Sequence, residues 1–335
     1  MSATTTPTTF SDLYTDVLNR VRANSSDTTS IQIAKRLVNQ GLHDVHIVRN
    51  WPWAERRARL NTNATYTTGT VAIALSARTT VTGTDTLWNT AVTGMGFNNV
   101  RAGGKIRFDS SDIYTVDSVA SDTSLTLTER YTGTAALSGD TYTYFEDEYA
   151  LASDFWRLVD MRQFSDVVDI PVYSRMDFYR RFPRNSTLGN PLGCTIIDLA
   201  PSGSVSPQPR VLFHPAPNSV MTIPYRYITS NLAVSSAGAA QTQLSADADE
   251  PIIPLRYRHV LIFYAIAHWY RDRKDDARAQ SANAEYVDLV RRMAGDLAPE
   301  HDTARIIRRQ PMRRNFSARG ATRYGIGTRF DEMRD

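Results

Sequence analysis

The sequence predicts an α+β fold: a four-helix body formed from N- and C-terminal helical hairpins, with an inserted small antiparallel β-barrel or sandwich and a further β-hairpin region. Three observations predict it. Apolar residues recur at helical spacing over roughly 9–48 and again over 254–297. Between them, from about 61 to 147, threonine fills 20 of 87 positions and apolar residues alternate with small ones. From 155 to 232 shorter apolar runs are separated by proline, glycine and serine.

The first helix is read from Thr9, whose hydroxyl and the Asp12 carboxylate three residues on form a capping pattern. Phe10, Leu13, Tyr14, Val17, Leu18 and Val21 share one face. Asn24-Ser-Ser-Asp27 interrupts it, and a second helix carries Ile31, Ala34, Val38, Leu42 and Val45. Trp51-Pro52-Trp53 stops that helix, because the residue before a proline is driven out of helical geometry. In the threonine-rich stretch, Val71/Ile73/Leu75, Ile106/Phe108, Leu125/Leu127 and Tyr142/Tyr144 have the two-residue period of half-buried strands. Turn residues at 103–104, 109–112 and 121–122 separate them. Further strands are expected at 158–161, 195–199, 211–213 and 221–227, with a short helix at 175–182 and loops at 201–209 and 233–248. Leu255 to Tyr270 is apolar nearly all round and is expected to be the most buried helix. A charged break at 271–276 precedes a last helix carrying Ala282, Tyr286, Leu289, Val290 and Met293, with Gly295 and Pro299 marking its end. Three parts are expected: 1–60 with 148–300, an inserted domain at 61–147, and a tail at 301–335.

Cys194 is the single cysteine, which excludes an intramolecular disulfide and fits synthesis in a reducing cytoplasm. No signal-peptide pattern opens the chain, and its longest apolar run, Val260 to Ala267, is far short of a membrane span. The net charge is +3, yet residues 304–335 hold nine arginines and three acids, a net +6, which leaves the preceding residues at −3. Three lysines, Lys35, Lys105 and Lys274, make nearly all positive charge guanidinium, a group suited to bidentate contacts.

Catalytic patterns are scarce, and no enzyme activity, cofactor or metal site is expected. Gly103-Gly104-Lys105 lacks the remaining residues of a phosphate loop and reads as a hairpin turn. His43 and His46 lie three apart on a helix without a third ligand, which reads as a surface pair. His259 and His268 read as core or interface residues, and Cys194 as a buried thiol. Glu146-Asp147-Glu148 could supply a carboxylate pair of the glycosidase kind, but a charged run leaving a strand is usually solvated. The aromatics Trp51, Trp53, Trp156 and Trp269 neighbour arginines, a mixture enriched at protein interfaces, and are taken as subunit-interface candidates.

Three stretches, in order, resemble tailed-bacteriophage head-to-tail adaptors, the portal-docking neck or head-completion proteins. They are Leu151-Ala-Ser-Asp-Phe-Trp-Arg-Leu-Val-Asp160, then Leu212-Phe-His-Pro-Ala-Pro217 running into Met221-Thr-Ile-Pro-Tyr-Arg-Tyr227, then Asp249-Glu-Pro-Ile-Ile-Pro254 with Arg256-Tyr-Arg-His259. The middle stretch is similar to an apolar strand, Pro-x-Pro, strand hairpin of that family. The segment Ile113 to Leu127 resembles β modules of phage structural proteins, and the threonine-rich part departs from the mainly helical family pattern. The resemblance implies a structural protein of the virion neck, made in the host cytoplasm and not bound to membrane. Its partners would be the portal protein, a downstream tail or nozzle (stopper) protein, further copies of itself in a ring of twelve, and double-stranded DNA in the bore. It also implies that the C-terminal segment enters portal clefts, with Arg305, Arg308, Arg309, Arg313, Arg314, Arg319 and Arg323 as docking residues. The alternatives are a nucleic-acid-binding protein using the arginine-rich tail and a tail-associated cell-wall hydrolase using Glu146 or Glu148.

Overall fold

The computed structural model describes residues 7–108, 112–163, 168–183, 187–197 and 208–297. The chain opens with α1 (Phe10–Val21) and α2 (Thr28–Val48), and a 3-10 turn at Pro52–Ala54 leads into β1 (Glu55–Asn61). There follow β2 (Thr70–Ile73), β3 (Thr80–Thr84), β4 (Lys105–Phe108), β5 (Ile113–Ser121), β6 (Ser124–Leu127), β7 (Leu137–Asp140) and β8 (Tyr142–Phe145). Next come β9 (Glu148–Ala150), β10 (Phe155–Gln163), β11 (Val168–Asp169), α3 (Arg175–Arg181), β12 (Gly193–Ile197), β13 (Arg210–His214) and β14 (Thr222–Thr229). The two-residue strands β15 (Ala233–Val234), β16 (Ala240–Gln241) and β17 (Glu250–Pro251) precede a 3-10 turn at Leu255–Tyr257, α4 (His259–Asp272) and α5 (Asp276–Asp296).

This architecture corrects the expected fold class. It is a mixed α/β chain with five α-helices among the described residues, whose largest unit is a curled, seven-stranded antiparallel sheet in the order β7-β2-β3-β6-β5-β4-β8. It is not a four-helix body with a small β module inserted. Further sheets run β1-β14-β10-β11, β12-β13-β9 and β16-β15-β17. The expected hairpin around Pro215 and Pro217 is absent too, since β13 and β14 belong to different sheets. Two prolines without amide hydrogens cannot continue a ladder, so the chain leaves one sheet there and joins the next.

Residues of α1, α2, α4 and α5 share one apolar core, which also takes in Trp51, Ile228 of β14 and the segment from Leu232 to Ile253. Thr9 and Asp12 cap α1 reciprocally, and the Asp27 side chain accepts from the Thr29 and Ser30 amides at the start of α2. The expected helix from Leu255 begins in 3-10 form, with α-helix from His259. Arg258 turns inward there, donating to the carbonyls of Ile253 (3.1 Å), Pro251 (3.0 Å) and Thr8, and so ties the C-terminal helices to the chain start. Among the described residues no helix is long and apolar enough to cross a membrane.

The α2–α4 crossing is close. A Cβ on Gly41 would lie 2.8 Å from Tyr264 Cδ1, and Tyr264 is held in place by a 2.5 Å hydrogen bond from its hydroxyl to Asp44. Gly41→Val is therefore expected to cost about 1–3 kcal/mol through overpacking. Gly41→Ala should cost less, because alanine regains about 1 kcal/mol of helix propensity. Urea unfolding of the two variants measures both effects.

The seven-stranded sheet closes over its own core of Val71, Val81, Trp88, Ile106, Phe108, Val116, Leu125 and Tyr144 among others. The alternation read in Ile106/Phe108 and Leu125/Leu127 places these residues inward, with their neighbours half-buried. Gly103 turns the chain into β4 with φ of 86°. A Cβ on Gly104 would collide with the Tyr144 ring, so the Gly-Gly pair serves a turn and a close approach rather than a phosphate loop.

Candidate functional site

Two places concentrate charge. The first is where the seven-stranded sheet meets β9 and β13. Glu146 is 4% exposed and receives the Arg101 guanidinium in a two-pronged ion pair, with Nε to Oε1 at 2.9 Å. Tyr144 Oη donates to Glu146 Oε1 at 2.6 Å, and Asn63 Nδ2 donates to the same oxygen at 3.3 Å. Tyr149 Oη accepts from the Asn63 amide and donates to the Glu146 carbonyl, both at 3.2 Å. Arg210 reaches the Glu148 carbonyl at 3.1 Å and its carboxylate at 3.5 Å, while Lys105 lies 3.9 Å from that carboxylate. Burial of Tyr144 together with the nearby Glu146 charge pushes its hydroxyl well above the usual phenol range, which keeps it a proton donor. Asp147 is buried between them with one carboxylate oxygen unpartnered, and burial raises its pKa to about 6. The expectation that this acidic run is solvated is thus corrected for Glu146 and Asp147. Glu146 is held as an acceptor at a junction of strands, an arrangement suited to fixing one sheet against another.

The second is the open face of the β1-β14-β10-β11 sheet. Trp51 anchors the start of β1, because its indole N–H donates to the Val45 carbonyl at 2.6 Å under the end of α2. Ala58 and Leu60 then face inward with Tyr225, Tyr227 and Met161, and Arg57 and Arg59 face outward. Arg57 lies opposite Arg226 on β14, and Arg226 lies opposite Asp160 on β10. Arg226 donates to Asp160 at 2.9 and 2.5 Å and to Glu55 at 3.2 Å. These bonds hold the Asp160 carboxyl below the usual carboxylate range. Arg162 pairs with Asp160 at 3.4 Å and with Asp169 at 3.1 Å. Glu55, Asp160 and Asp169 are therefore engaged, and Arg57 and Arg59 have no ion-pair partner among the described residues. A shallow groove runs between these arginines, Pro224 and Tyr225.

The tryptophans divide. Trp51 and Trp269 lie in the chain's own core at 1% and 2% exposure and offer no area to a neighbour. Trp53 stacks on Trp51 at 6.2 Å, and Trp156 lies 4.3 Å from His46, both half-buried. His46 is itself buried, and burial lowers its pKa, so the expected surface pair with the exposed His43 does not form. Among the described residues no cluster of three or more metal-ligating side chains occurs. Cys194 is fully buried on β12 with its thiol pushed up to about 12. The His268 ring lies 4.3 Å from that of Tyr264, tilted by 33°. The docking arginines Arg305, Arg308, Arg309, Arg313, Arg314, Arg319 and Arg323 lie outside the described residues.

Two apolar patches, read from neither composition nor period, stand on the surface. Ile47 and Val48 at the end of α2 are 58% and 59% exposed. Met176 and Tyr179 on α3 are 70% and 48% exposed. The second patch is flanked by Arg175 and Arg180. α3 packs inward through Phe178 alone, onto Ile197 and Leu212, which leaves the rest of its short surface uncovered. No family model and no curated protein matches the chain.

Proposed function

We propose that this chain is a non-enzymatic structural subunit of a virion neck: a head-to-tail adaptor that forms a ring on the portal, joins capsid to tail and encloses part of the DNA path. One observation carries the reading on the structural side. Among the described residues, two exposed apolar pairs, Ile47/Val48 and Met176/Tyr179, stand on elements that belong to different cores. A ring subunit needs two unlike surfaces, because head-to-tail contacts close a cycle only if each copy presents a different face to each neighbour. Arginine, methionine and tyrosine at the α3 patch have the composition of an interface core. The order of the three sequence stretches supports the same assignment, and the arginine-rich residues 304–335 supply the portal contact.

Electron microscopy of the protein mixed with portal tests this, with a twelve-fold ring as the expected result. Met176→Glu/Tyr179→Glu and Ile47→Glu/Val48→Glu variants should each fail to form rings. Mixed in equal amounts they should stop at dimers, since each retains one competent face. Deletion of 304–335 should abolish docking. Unimpaired portal binding by that truncation overturns the docking role of the tail, and rings formed by either charge variant overturn the surface assignment.

A further inference from the structure

The outer edge of β1 is open in a way that the arginines beside it make specific. β1 pairs with β14 alone among the described residues, so its other side carries no strand. The register fixes which backbone groups are free. The Thr62 amide donates to the Met221 carbonyl at 2.9 Å, so the ladder bonds continue at every second residue through Leu60, Ala58 and Arg56. The amides and carbonyls of Arg57 and Arg59 therefore point away from β14, out of the sheet. Among the described residues their side chains stand on the open face without a counter-charge, since Glu55, Asp160 and Asp169 are engaged by Arg226 and Arg162. Backbone donors and acceptors at alternate residues and two uncompensated guanidinium groups thus coincide along one exposed strand.

We propose that β1 receives an added strand from a partner protein: an extended segment with carboxylates at alternate positions, which pairs with the Arg57 and Arg59 backbone and places its acids beside their side chains. Strand addition supplies affinity through main-chain hydrogen bonds and specificity through alternate side chains. Opposite charges on directly paired residues of neighbouring strands stabilise the pairing, and like charges oppose it. Charge selects among occupants. Residues 304–335 of this chain carry a net +6, and a second copy of β1 would bring arginines against arginines. An acidic segment of another protein is the complement of this edge, and the inference stands whether or not the chain docks on a portal.

The test uses the full chain, with fluorescent, end-capped heptapeptides alternating glutamate or lysine with valine, and a short DNA duplex. The glutamate peptide should bind and the lysine peptide should not. Arg57→Glu/Arg59→Glu should weaken binding at least about ten-fold. Arg59→Gln and Arg59→Pro both remove the charge, but only proline removes the outward amide, and proline is tolerated on the open side of an edge strand. Arg59→Pro should therefore bind about five-fold more weakly than Arg59→Gln, the effect of one net hydrogen bond. Added glutamate peptide should also slow hydrogen exchange of the Arg57 and Arg59 amides in the unmodified protein, a readout that needs no variant to fold. Absence of glutamate-peptide binding, unchanged amide exchange, or equal affinity of the two Arg59 variants overturns the proposal. Duplex binding in place of peptide binding reassigns the arginines to phosphates, and a concentration-dependent dimer lost in Arg59→Pro reassigns the edge to self-pairing.

Discussion

Replacing Arg101 by alanine is expected to destabilise the protein by about 3 kcal/mol, the lower end of the range for breaking a buried pair by removing one partner. The magnitude follows from what is left behind. Glu146 stays buried with Tyr144 and Asn63 as donors and no positive charge. Arg101 is itself about one-third exposed, so part of its charge is already met by water, which sets the estimate at the low end. The loss is that of the guanidinium alone, because the hydrogen bond from the Arg101 backbone amide to Tyr144 Oη, at 3.0 Å, is kept in the alanine variant. The same tyrosine ring occupies the space over Gly104, where β4 begins. Urea unfolding of Arg101→Ala and of the double variant Arg101→Met/Glu146→Leu separates the causes. The double variant should recover most of the stability, since apolar replacement of both partners removes the uncompensated carboxylate. A loss under about 1 kcal/mol for Arg101→Ala would mean that the junction takes its stability from packing alone.

The helical termini and the inner positions of the strands were legible because each is written in local spacing. Thr9-x-x-Asp12 is read within one turn of chain, and the apolar residues from Phe10 to Val21 within about three. Ile106 and Phe108, or Leu125 and Leu127, need only a period of two. The sheets were not legible, because their order is set by distant pairings: β7 lies beside β2, and β9 beside β13. A seven-stranded sheet and a small barrel therefore have the same local signature, and only those distant pairings tell them apart. β1 has no local signature for another reason, since Glu55-Arg-Arg-Ala-Arg59 shows little apolar alternation when one face is open to solvent. A signal for Glu146 did exist. It is in phase with Tyr142 and Tyr144, both buried, and the two-residue period carries it inward past the end of the strand. Reading the run Glu146-Asp147-Glu148 as a block of charge obscured that parity.

Asp147 gives the junction a pH dependence of opposite sign to that of five carboxylates elsewhere in the chain, Asp12, Asp27, Asp160, Asp247 and Asp249. Its pKa is raised from 3.8 to about 6, first by burial, with the charges of Glu148 and Glu146 adding and Lys105 opposing. In the folded protein the group holds its proton between those two values, where the unfolded chain has already released it. Its contribution to stability is therefore full below about pH 4 and declines as pH rises toward 6, with a total change of about 3 kcal/mol. Asp12, Asp27, Asp160, Asp247 and Asp249 act in the other direction. Hydrogen bonds from cap residues (Asp12, Asp27), from Arg226 (Asp160), from Lys35 (Asp247) and from loop amides (Asp249) lower their pKa values, so their stabilisation is lost as pH falls through the acid range. Asp147→Asn removes the first effect and keeps the second. Denaturant unfolding of both proteins at intervals from pH 4 to 7 should show the unmodified chain losing stability relative to the variant as pH rises, with the difference levelling off above about pH 6. A constant difference across that window would mean that Asp147 is ionised in the folded state throughout it. The partner of its second oxygen would then be a charge or a water bound at the junction, and Lys105→Met should restore the missing slope by taking away the nearest cation.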